Sequence, residues 1–288
     1  MSTAVEFDPR AFKAATRDQW EKAAQGWNDQ TPNIRAWLRE PTQAMLAMAG
    51  IQAGQRVLDV AAGAGDQTLD IARRVGAQGS VLATDLSPAI LELAKANAAR
   101  AGYRNVQTRV ADGESLGVDP ASFDAAVCRL GLMFLPDPLQ GLREIHRALK
   151  PGGGVCTMVF STPQANPCVR ILMSTALEHA GLPPRDPFQP GGLLSLGKPG
   201  LIDELFKAAG FRDVATTKMP APFRLPSVRD YLQFIRTSAS PIQQILAKLG
   251  NAAQDAAWAA MEERLNVFAG TAGWEGPNEL LLTAARRA

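Results

Sequence analysis

At positions 56–66 the chain reads RVLDVAAGAGD, an apolar run followed at once by a glycine-rich turn. The run Arg56–Ala62 predicts a buried strand, and residues Thr68–Val75 predict a helix after the turn. Gly63 and Gly65 allow the backbone to approach a ligand because they carry no Cβ atom. In a doubly wound sheet such a turn lies at the carboxyl end of the first strand, where ligands bind. A tight strand–helix turn without a ligand has the same signature.

Strands and helices alternate along the chain on the C-terminal side of this turn. The helix after the second strand begins at Ser87-Pro88, where serine is a favoured cap and proline a favoured first residue. The alternation predicts an α/β fold with a Rossmann-like, seven-stranded, mostly parallel sheet and helices on both faces. The further predicted strands are Ser80–Asp85, Val106–Ala111, Phe123–Leu130, Val155–Phe160, Asp213–Met219 and Glu279–Ala284.

The segments outside this alternation predict a lid and a cap. Residues 1–50 are expected to form an N-terminal helical lid, with an amphipathic helix over 10–28. We expect residues 1–30 and the long loop 183–192 to close over the cofactor cleft, since long loops in compact domains often serve as lids. The rest divides into a cofactor-binding core, 51–160, 198–220 and 275–288, and cap insertions over the acceptor site, 161–197 and 221–274.

Three acidic residues end three consecutive predicted strands. Asp85 follows the glycine turn at a spacing that suits a carboxylate accepting both hydroxyls of a ribose. Asp112 could accept a hydrogen bond from an adenine amino group, and Asp59 could attract an ammonium group. Any one of them could instead be a helix cap or a solvated turn residue, but their common position predicts a shared site.

With these acids in place, the chain resembles the class I S-adenosylmethionine-dependent methyltransferases. Among them it is most similar to the ubiquinone/menaquinone biosynthesis C-methyltransferases and their relatives. The resemblance implies transfer of a methyl group from S-adenosylmethionine to a small acceptor, with S-adenosylhomocysteine as the product. The motifs that carry it are LDVAAGAGD (58–66), DLSP (85–88), ADGESL (111–116), SFD (122–124), LKPGG (149–153) and AAGF (208–211).

The same resemblance implies roles for particular residues in binding the cofactor. Asp59 and the backbone from Ala61 through Gly63 to Gly65 would hold the methionine part. The ribose would be bound by Asp85 and the adenine edge by Asp112, while Arg129 would face both cofactor and acceptor. Two positions depart from the pattern: Ala61 replaces a common glycine, and Arg129 replaces a small polar residue, which weakens the case for a quinone. The residues expected to pack along the adenosine are Leu86 and Gly113.

The sequence gives less direct information about the identity of the methyl acceptor. A small hydrophobic or aromatic molecule fits best because ligand pockets are mostly apolar, and carbon, oxygen, nitrogen and sulfur all stay open as the methylated atom. His179, in the first insertion, is the candidate base, whereas His146 fits a helix-packing role better. The residues that could line an apolar pocket or belong to the ordinary core are Trp20, Trp27, Trp37, Met133, Phe134, Phe188, Tyr231 and Phe234.

Two other functions compete with methyl transfer. One is an NAD(P)-dependent oxidoreductase, but Gly63-x-Gly65 continues to Thr68 where the dinucleotide fingerprint needs a third glycine. Asp66 would also oppose a pyrophosphate at the start of the next helix. The other is a non-catalytic cofactor-binding protein on the same fold, since fold does not fix function.

The amino-acid composition further limits which kinds of partner we expect. Thirty basic and 28 acidic residues give a net charge of +2, with no long basic stripe for nucleic acid. No apolar run is long enough for stable membrane insertion, and the N-terminus lacks a secretory apolar region. Three scattered cysteines and two histidines predict free thiols in the cytoplasm and no metal site. We expect a monomer or a homodimer.

Overall fold

The computed structural model describes residues 8–238 and 241–288, so residues 1–7 of the predicted lid lie outside the described residues. Two helices, α1 (Pro9–Asp29) and α2 (Thr31–Met48), precede the first strand. The amphipathic helix predicted near the N-terminus is therefore present as α1. Among the helices of the described ranges, none is long and apolar enough to cross a membrane.

Strands and helices then alternate as the sequence predicts. The strands at the centre of the sheet are mostly buried, so their side chains form the centre of the core, whereas the edge strand Val106–Val110 is largely exposed. The elements are β1 (Arg56–Val60), α3 (Asp66–Val75), β2 (Ser80–Asp85), α4 (Pro88–Arg100), β3 (Val106–Val110), β4 (Phe123–Arg129), α5 (Pro138–Ala148) and β5 (Leu149–Phe160).

The second half of the chain completes the sheet and adds a cap. It consists of α6 (Pro167–His179), α7 (Leu201–Ala208), β6 (Phe211–Pro220), β7 (Phe223–Leu225), α8 (Val228–Thr237), α9 (Pro241–Leu246), α10 (Asn251–Leu265), β8 (Ala269–Gly270), β9 (Gly273–Gly276) and β10 (Glu279–Arg287).

The large sheet has seven strands in the order β3-β2-β1-β4-β5-β10-β6. Neighbours from β3 to β5 pair in parallel, whereas β10 runs antiparallel between β5 and β6. This arrangement confirms the predicted mostly parallel sheet. Strand order reverses between β1 and β4, and that reversal opens a crevice at the carboxyl ends of the strands.

Two features differ from the sequence-based prediction. β5 begins at Leu149 rather than Val155, because Leu149 pairs with Phe123 ahead of an irregularity in the ladder. The cap also holds a three-stranded antiparallel sheet, β7-β9-β8, that was not predicted. Its strands have two to four residues, too few to show an alternating pattern.

Asn166, a fully buried residue, joins the cap to the large sheet. Its amide nitrogen donates to the backbone oxygen of Glu279 at 3.1 Å, and its amide oxygen accepts from the Glu279 N–H at 3.0 Å. The same nitrogen donates to Ser161 Oγ at 3.1 Å. One side chain therefore holds together the end of β5, the start of α6 and the start of β10.

We expect Asn166→Ala to lower the free energy of unfolding by about 1–3 kcal/mol, because it leaves buried polar groups unpaired. Urea unfolding followed by circular dichroism measures the change. Ser174→Ala, on the exposed side of α6, is the matched control and should shift stability by less than about 0.5 kcal/mol. Equal stability of the two variants would show that Asn166 does not hold this junction.

Candidate active site

A cavity lies in the crevice at the carboxyl ends of the central strands. The glycine turn after β1 and the loops after β2, β3 and β4 form one end of it, and α1 runs across this end. Seven residues predicted to contact the cofactor line the cavity: Ala61, Gly63, Asp85, Leu86, Asp112, Gly113 and Arg129.

The floor of the cavity is formed where β1 and β4 end side by side. Ala61 has φ of +55° and Leu130 has φ of +57°, a left-handed conformation that non-glycine residues rarely adopt. A Cβ atom placed on Gly131 would lie 2.3 Å from the Cβ of Ala61. Gly131 therefore makes room for the alanine that replaces the family's usual glycine.

Asp85 is anchored by backbone groups at the end of β2. Its Oδ2 accepts from the N–H of Gly63 at 3.0 Å, and its Oδ1 accepts from the N–H of Ser87 at 3.1 Å. Burial raises the pKa of Asp85, while these backbone hydrogen bonds oppose the rise. A carboxylate has about four acceptor positions, and the N–H groups of Gly63, Ser87 and Leu86 do not fill all of them, so the carboxylate can still accept from a ligand hydroxyl, which fits the ribose of the cofactor.

Asp112 is engaged by a side chain from α1. Lys13 Nζ lies 2.6 Å from Asp112 Oδ2 and 2.5 Å from Glu114 Oε2. Burial disfavours the Lys13 charge, but these two partners outweigh it and raise the pKa of Lys13. The pairing holds α1 against the loop after β3. Local sequence patterns could not reveal it because the partners lie about a hundred residues apart along the chain.

Asp59 requires a correction to its predicted role. Its carboxylate is fully buried beneath the first turn of α3, where Thr68 Oγ1 donates to it at 2.6 Å and Gln67 Nε2 at 3.1 Å. Burial raises the pKa of Asp59 to about 6, while those two hydrogen bonds lower it. The carboxylate therefore braces the glycine turn from below, and Gln67 is the residue that lines the cavity.

Gly65 also has a structural position rather than the predicted ligand contact. It precedes α3 with φ of +84°, and a Cβ atom there would lie 3.0 Å from the Cβ of Ala94. The absence of a side chain at Gly65 thus lets α4 pack closely against the turn.

His179 lies too far from the cavity to be its base. Val169 and Leu172, near the start of α6, line the cavity, whereas His179 is the last residue of that helix. At the rise of an α-helix it lies about 10 Å beyond Leu172 along the axis. The loop 183–192 packs against α1, since a Cβ atom on Gly191 would clash with the ring of Phe12 on that helix.

Arg129 is buried at the end of β4 between the cavity and α2. Its Nη2 lies 2.9 Å from Asp66 Oδ2, and its Nη1 donates to Thr42 Oγ1 at 2.9 Å. Asp66 also pairs with Arg35 at 3.2 Å. These partners fix the guanidinium at the cavity wall, with donors left over for a negatively charged ligand group.

The other end of the cavity is lined by aromatic rings. Trp37 and Phe223 lie 4.6 Å apart between ring centroids, and Phe223 lies 4.9 Å from Phe234. Of the eight residues suggested for an apolar pocket, Phe188 is the one that does not line this cavity. The lining residues that the sequence did not single out include Phe160, Val169, Leu172, Phe223 and Asn278, which come from separate elements of the core and cap.

The fold and the cavity together define a class of protein. A glycine turn, a ribose-type acid after β2 and a reversal of strand order characterise the cofactor crevice of class I S-adenosylmethionine-dependent methyltransferases. Within that class, residues 35–176 match the ubiE/COQ5 methyltransferase family. These findings confirm the prediction of a methyltransferase core of this type, with S-adenosylmethionine as its cofactor.

Curated relatives share this core. Over 116 residues the chain is 39% identical to the ubiquinone/menaquinone biosynthesis C-methyltransferase UbiE of Idiomarina loihiensis, covering 40% of this chain and 46% of the relative. Over 119 residues it is 36% identical to a demethylmenaquinone methyltransferase of Staphylococcus epidermidis, covering 41% and 48%. The chain thus spans about half the length of these relatives.

Solved structures share the fold at low sequence identity. YcgJ of Bacillus subtilis superposes with a TM-score of 0.58 at 20% identity, covering 86% of this chain and 98% of that protein. Phosphoethanolamine N-methyltransferase 2 of Haemonchus contortus gives 0.60 at 20%, covering 94% and 60%. The [4+2]-cyclase SpnF gives 0.55 at 21%, covering 93% and 97%. The fold extends well beyond the segment matched by sequence.

The contact between Ala61 and Gly131 gives a test of the cavity floor. Gly131 has φ of −107°, which alanine tolerates, so the main effect of Gly131→Ala is the clash with Ala61 at 2.3 Å, beside a closer-than-usual contact of 3.2 Å with Cys128 Sγ. We expect the variant to unfold about 1–3 kcal/mol more easily, the range for overpacking. The double variant Ala61→Gly/Gly131→Ala should recover most of this loss in urea unfolding. Failure of the second change to restore stability would show that this contact does not limit the turn.

Proposed function

We propose that this protein transfers a methyl group from S-adenosylmethionine to a small, uncharged aromatic acceptor. The observation that carries the proposal is the continuity of one cavity with two unlike ends. Polar groups suited to a nucleoside and an amino acid line one end, and aromatic rings line the other. Such a cavity would bring the two ligands together, and alignment is the main requirement for this reaction.

When bound, the cofactor supplies an electrophilic methyl group on a sulfonium, and the acceptor atom supplies the electron pair for the new bond. The chain's own residues would then bind, orient and exclude water. Asp85 would accept the ribose hydroxyls and Asp112 the adenine amino group, while Gln67 and Arg129 would lie at the methionine part. Trp20 and Trp27, whose rings meet edge to face at 5.3 Å, would shield the sulfonium.

Among the described residues, the absence of charged side chains from one wall of the cavity favours an uncharged acceptor. Within the described ranges, every residue that α6, α8, α9 and the segment before β10 contribute to the cavity is uncharged. A buried charge without a partner is costly, so this wall suits a neutral acceptor better than one like the phosphomonomethylethanolamine bound by the nematode enzyme. A quinone-type ring, suggested by the names of the UbiE relatives, fits that wall.

The competing functions fit the cavity less well. A dinucleotide would bring its pyrophosphate to the start of α3, where the carboxylate of Asp66 occupies the first turn and holds Arg129 and Arg35. A reaction other than methyl transfer on the same fold has a precedent, because SpnF is described as a [4+2]-cyclase. The acceptor wall and the cofactor end are therefore tested separately.

We also propose that α1 is a lid over the cofactor. Lys13, Thr16, Trp20 and Trp27 from this helix line the cavity. Exchange of the cofactor would then require α1 to lift. Breaking the contacts of Lys13 with Asp112 and Glu114 would be part of that motion.

The cofactor end is tested by calorimetric titration with S-adenosylhomocysteine. Asp85→Ala should weaken binding tenfold or more, because a hydrogen bond to a charged group contributes about 1.5–3 kcal/mol. Asp255→Ala, an exposed acid on α10, is the control and should bind as the wild type does. Full affinity in a folded Asp85→Ala protein would remove Asp85 from the site. Thermal stabilisation by NAD alone would favour the oxidoreductase instead.

The lid is tested through Lys13. Lys13→Met should speed hydrogen exchange in α1 and raise the dissociation rate of S-adenosylhomocysteine about two- to fivefold, as expected for a partly exposed ion pair. Lys22→Met, an exposed position on the same helix, should change neither rate. Unaltered dissociation from the Lys13 variant would mean that α1 does not gate the cofactor.

A further inference from the structure

The cap wall of the cavity contains a tyrosine whose ring is held firmly in place. Tyr231, on α8, stacks on Trp274 with ring centroids 4.5 Å apart and an angle of 23° between the planes. It also meets Phe223 edge to face at 5.4 Å. Trp274 is fixed in turn, because its Nε1 donates to the backbone oxygen of Leu265 at 2.8 Å. The ring of Tyr231 is therefore preorganised.

The hydroxyl of Tyr231 takes no part in this ring packing. The residue is 3% exposed and lines the cavity, yet within residues 8–238 and 241–288 its oxygen has no hydrogen-bond partner. A tyrosine hydroxyl that faces a cavity without a protein partner is available to bond a ligand there. Burial raises the pKa of Tyr231 well above its ordinary value, so the group stays neutral and can donate a proton in a hydrogen bond.

Asn278 contributes a complementary acceptor from the segment before β10. Its Nδ2 donates to the backbone oxygen of Gly276 at 3.2 Å, and its backbone oxygen accepts from Ala221. The side chain is 6% exposed and lines the same cavity. In the described part of the chain, its Oδ1 receives no hydrogen bond.

The neighbouring polar groups of this wall are already paired. Trp37 Nε1 donates to the backbone oxygen of Ala221 at 2.7 Å, and Ser238 Oγ donates to that of Ile235 at 3.3 Å. Beyond these bonds, the cap wall presents to a bound ligand the hydroxyl of Tyr231 as a donor and Oδ1 of Asn278 as an acceptor, in a surrounding of apolar rings.

We propose that Tyr231 and Asn278 are positioning residues that recognise the oxygen substituents of a phenolic acceptor ring, Tyr231 by donating a hydrogen bond and Asn278 by accepting one. This inference rests on the proposed function and names its acceptor class more narrowly. A hydroxyl-bearing aromatic ring uses both groups, a carbonyl uses only Tyr231, and a plain hydrocarbon leaves both unpaired. Rejection of a ligand that leaves buried polar groups unpaired is a strong source of specificity.

The test compares 1-naphthol with naphthalene, which differ by one hydroxyl, in the presence of saturating S-adenosylhomocysteine. Binding is followed by fluorescence titration. Wild-type protein should prefer 1-naphthol at least tenfold, and Tyr231→Phe should reduce that preference at least fivefold while leaving naphthalene binding unchanged. Phe234→Leu, which alters only the apolar wall, should weaken both probes equally and keep the preference.

Asn278→Ala gives an independent measurement in case Tyr231→Phe loses its fold, and it too should reduce the preference for 1-naphthol. An equal preference in the wild type and in both folded variants would overturn the inference. Titration of S-adenosylhomocysteine alone separates this failure from failure of the proposed function. Tight binding without probe discrimination rejects only the roles of Tyr231 and Asn278, whereas no binding rejects the methyltransferase proposal.

Discussion

The contact between the ends of β1 and β4 determines the shape of the site. Ala61 and Leu130 both adopt a left-handed backbone, so each strand turns sharply away from its neighbour as it leaves the sheet. The crevice opens between the two departing loops, at the point where strand order reverses. Gly131 permits this arrangement because a side chain there would collide with Ala61. Non-glycine residues in this conformation carry strain of about 1–3 kcal/mol, and such strain persists where surrounding packing enforces it.

Several charged groups near the cavity form hydrogen bonds and ion pairs that stabilise the protein's own loops. The carboxylate of Asp59 holds Gln67 and Thr68 at the start of α3, and Asp66 fixes Arg129. Removing one partner from such a buried pair leaves an uncompensated charge, which costs more than the pair itself contributes. Charge in this region therefore sets the geometry of the turn as well as its affinity for a ligand. Asp85 differs because backbone N–H groups satisfy part of its carboxylate and leave the rest free.

The sequence was sufficient to predict the core because its signals are local. An apolar run, a glycine turn and a helix start lie within twenty residues, so the alternation of strands and helices and the cofactor end could be predicted together. The contacts that the predicted cap segments make could not be predicted in this way. Tyr231 and Asn278 meet one cavity from distant parts of the chain, and Lys13 reaches Asp112 across about a hundred residues. The position of His179 illustrates a related difficulty: its place in the first insertion can be read from the sequence, but its distance from the cavity depends on where α6 begins and ends.

The local sequence signals belong to the cofactor end of the cavity, whereas the long-range contacts belong to its aromatic end. The family match spans residues 35–176, which contain the glycine turn and the acids of the cofactor end. Trp20 and Trp27 precede that span, while Tyr231 and Asn278 follow it, as do Phe223 and Phe234. Most rings that would contact the acceptor are thus supplied by segments outside the sequence similarity. Because a rigid core binds the shared cofactor and the added segments build the opposite wall, one core can be combined with different acceptors. On the proposed function, the acceptor of this protein would be determined by the uncharged, partly aromatic surface that α6, α8 and α9 contribute to the cavity.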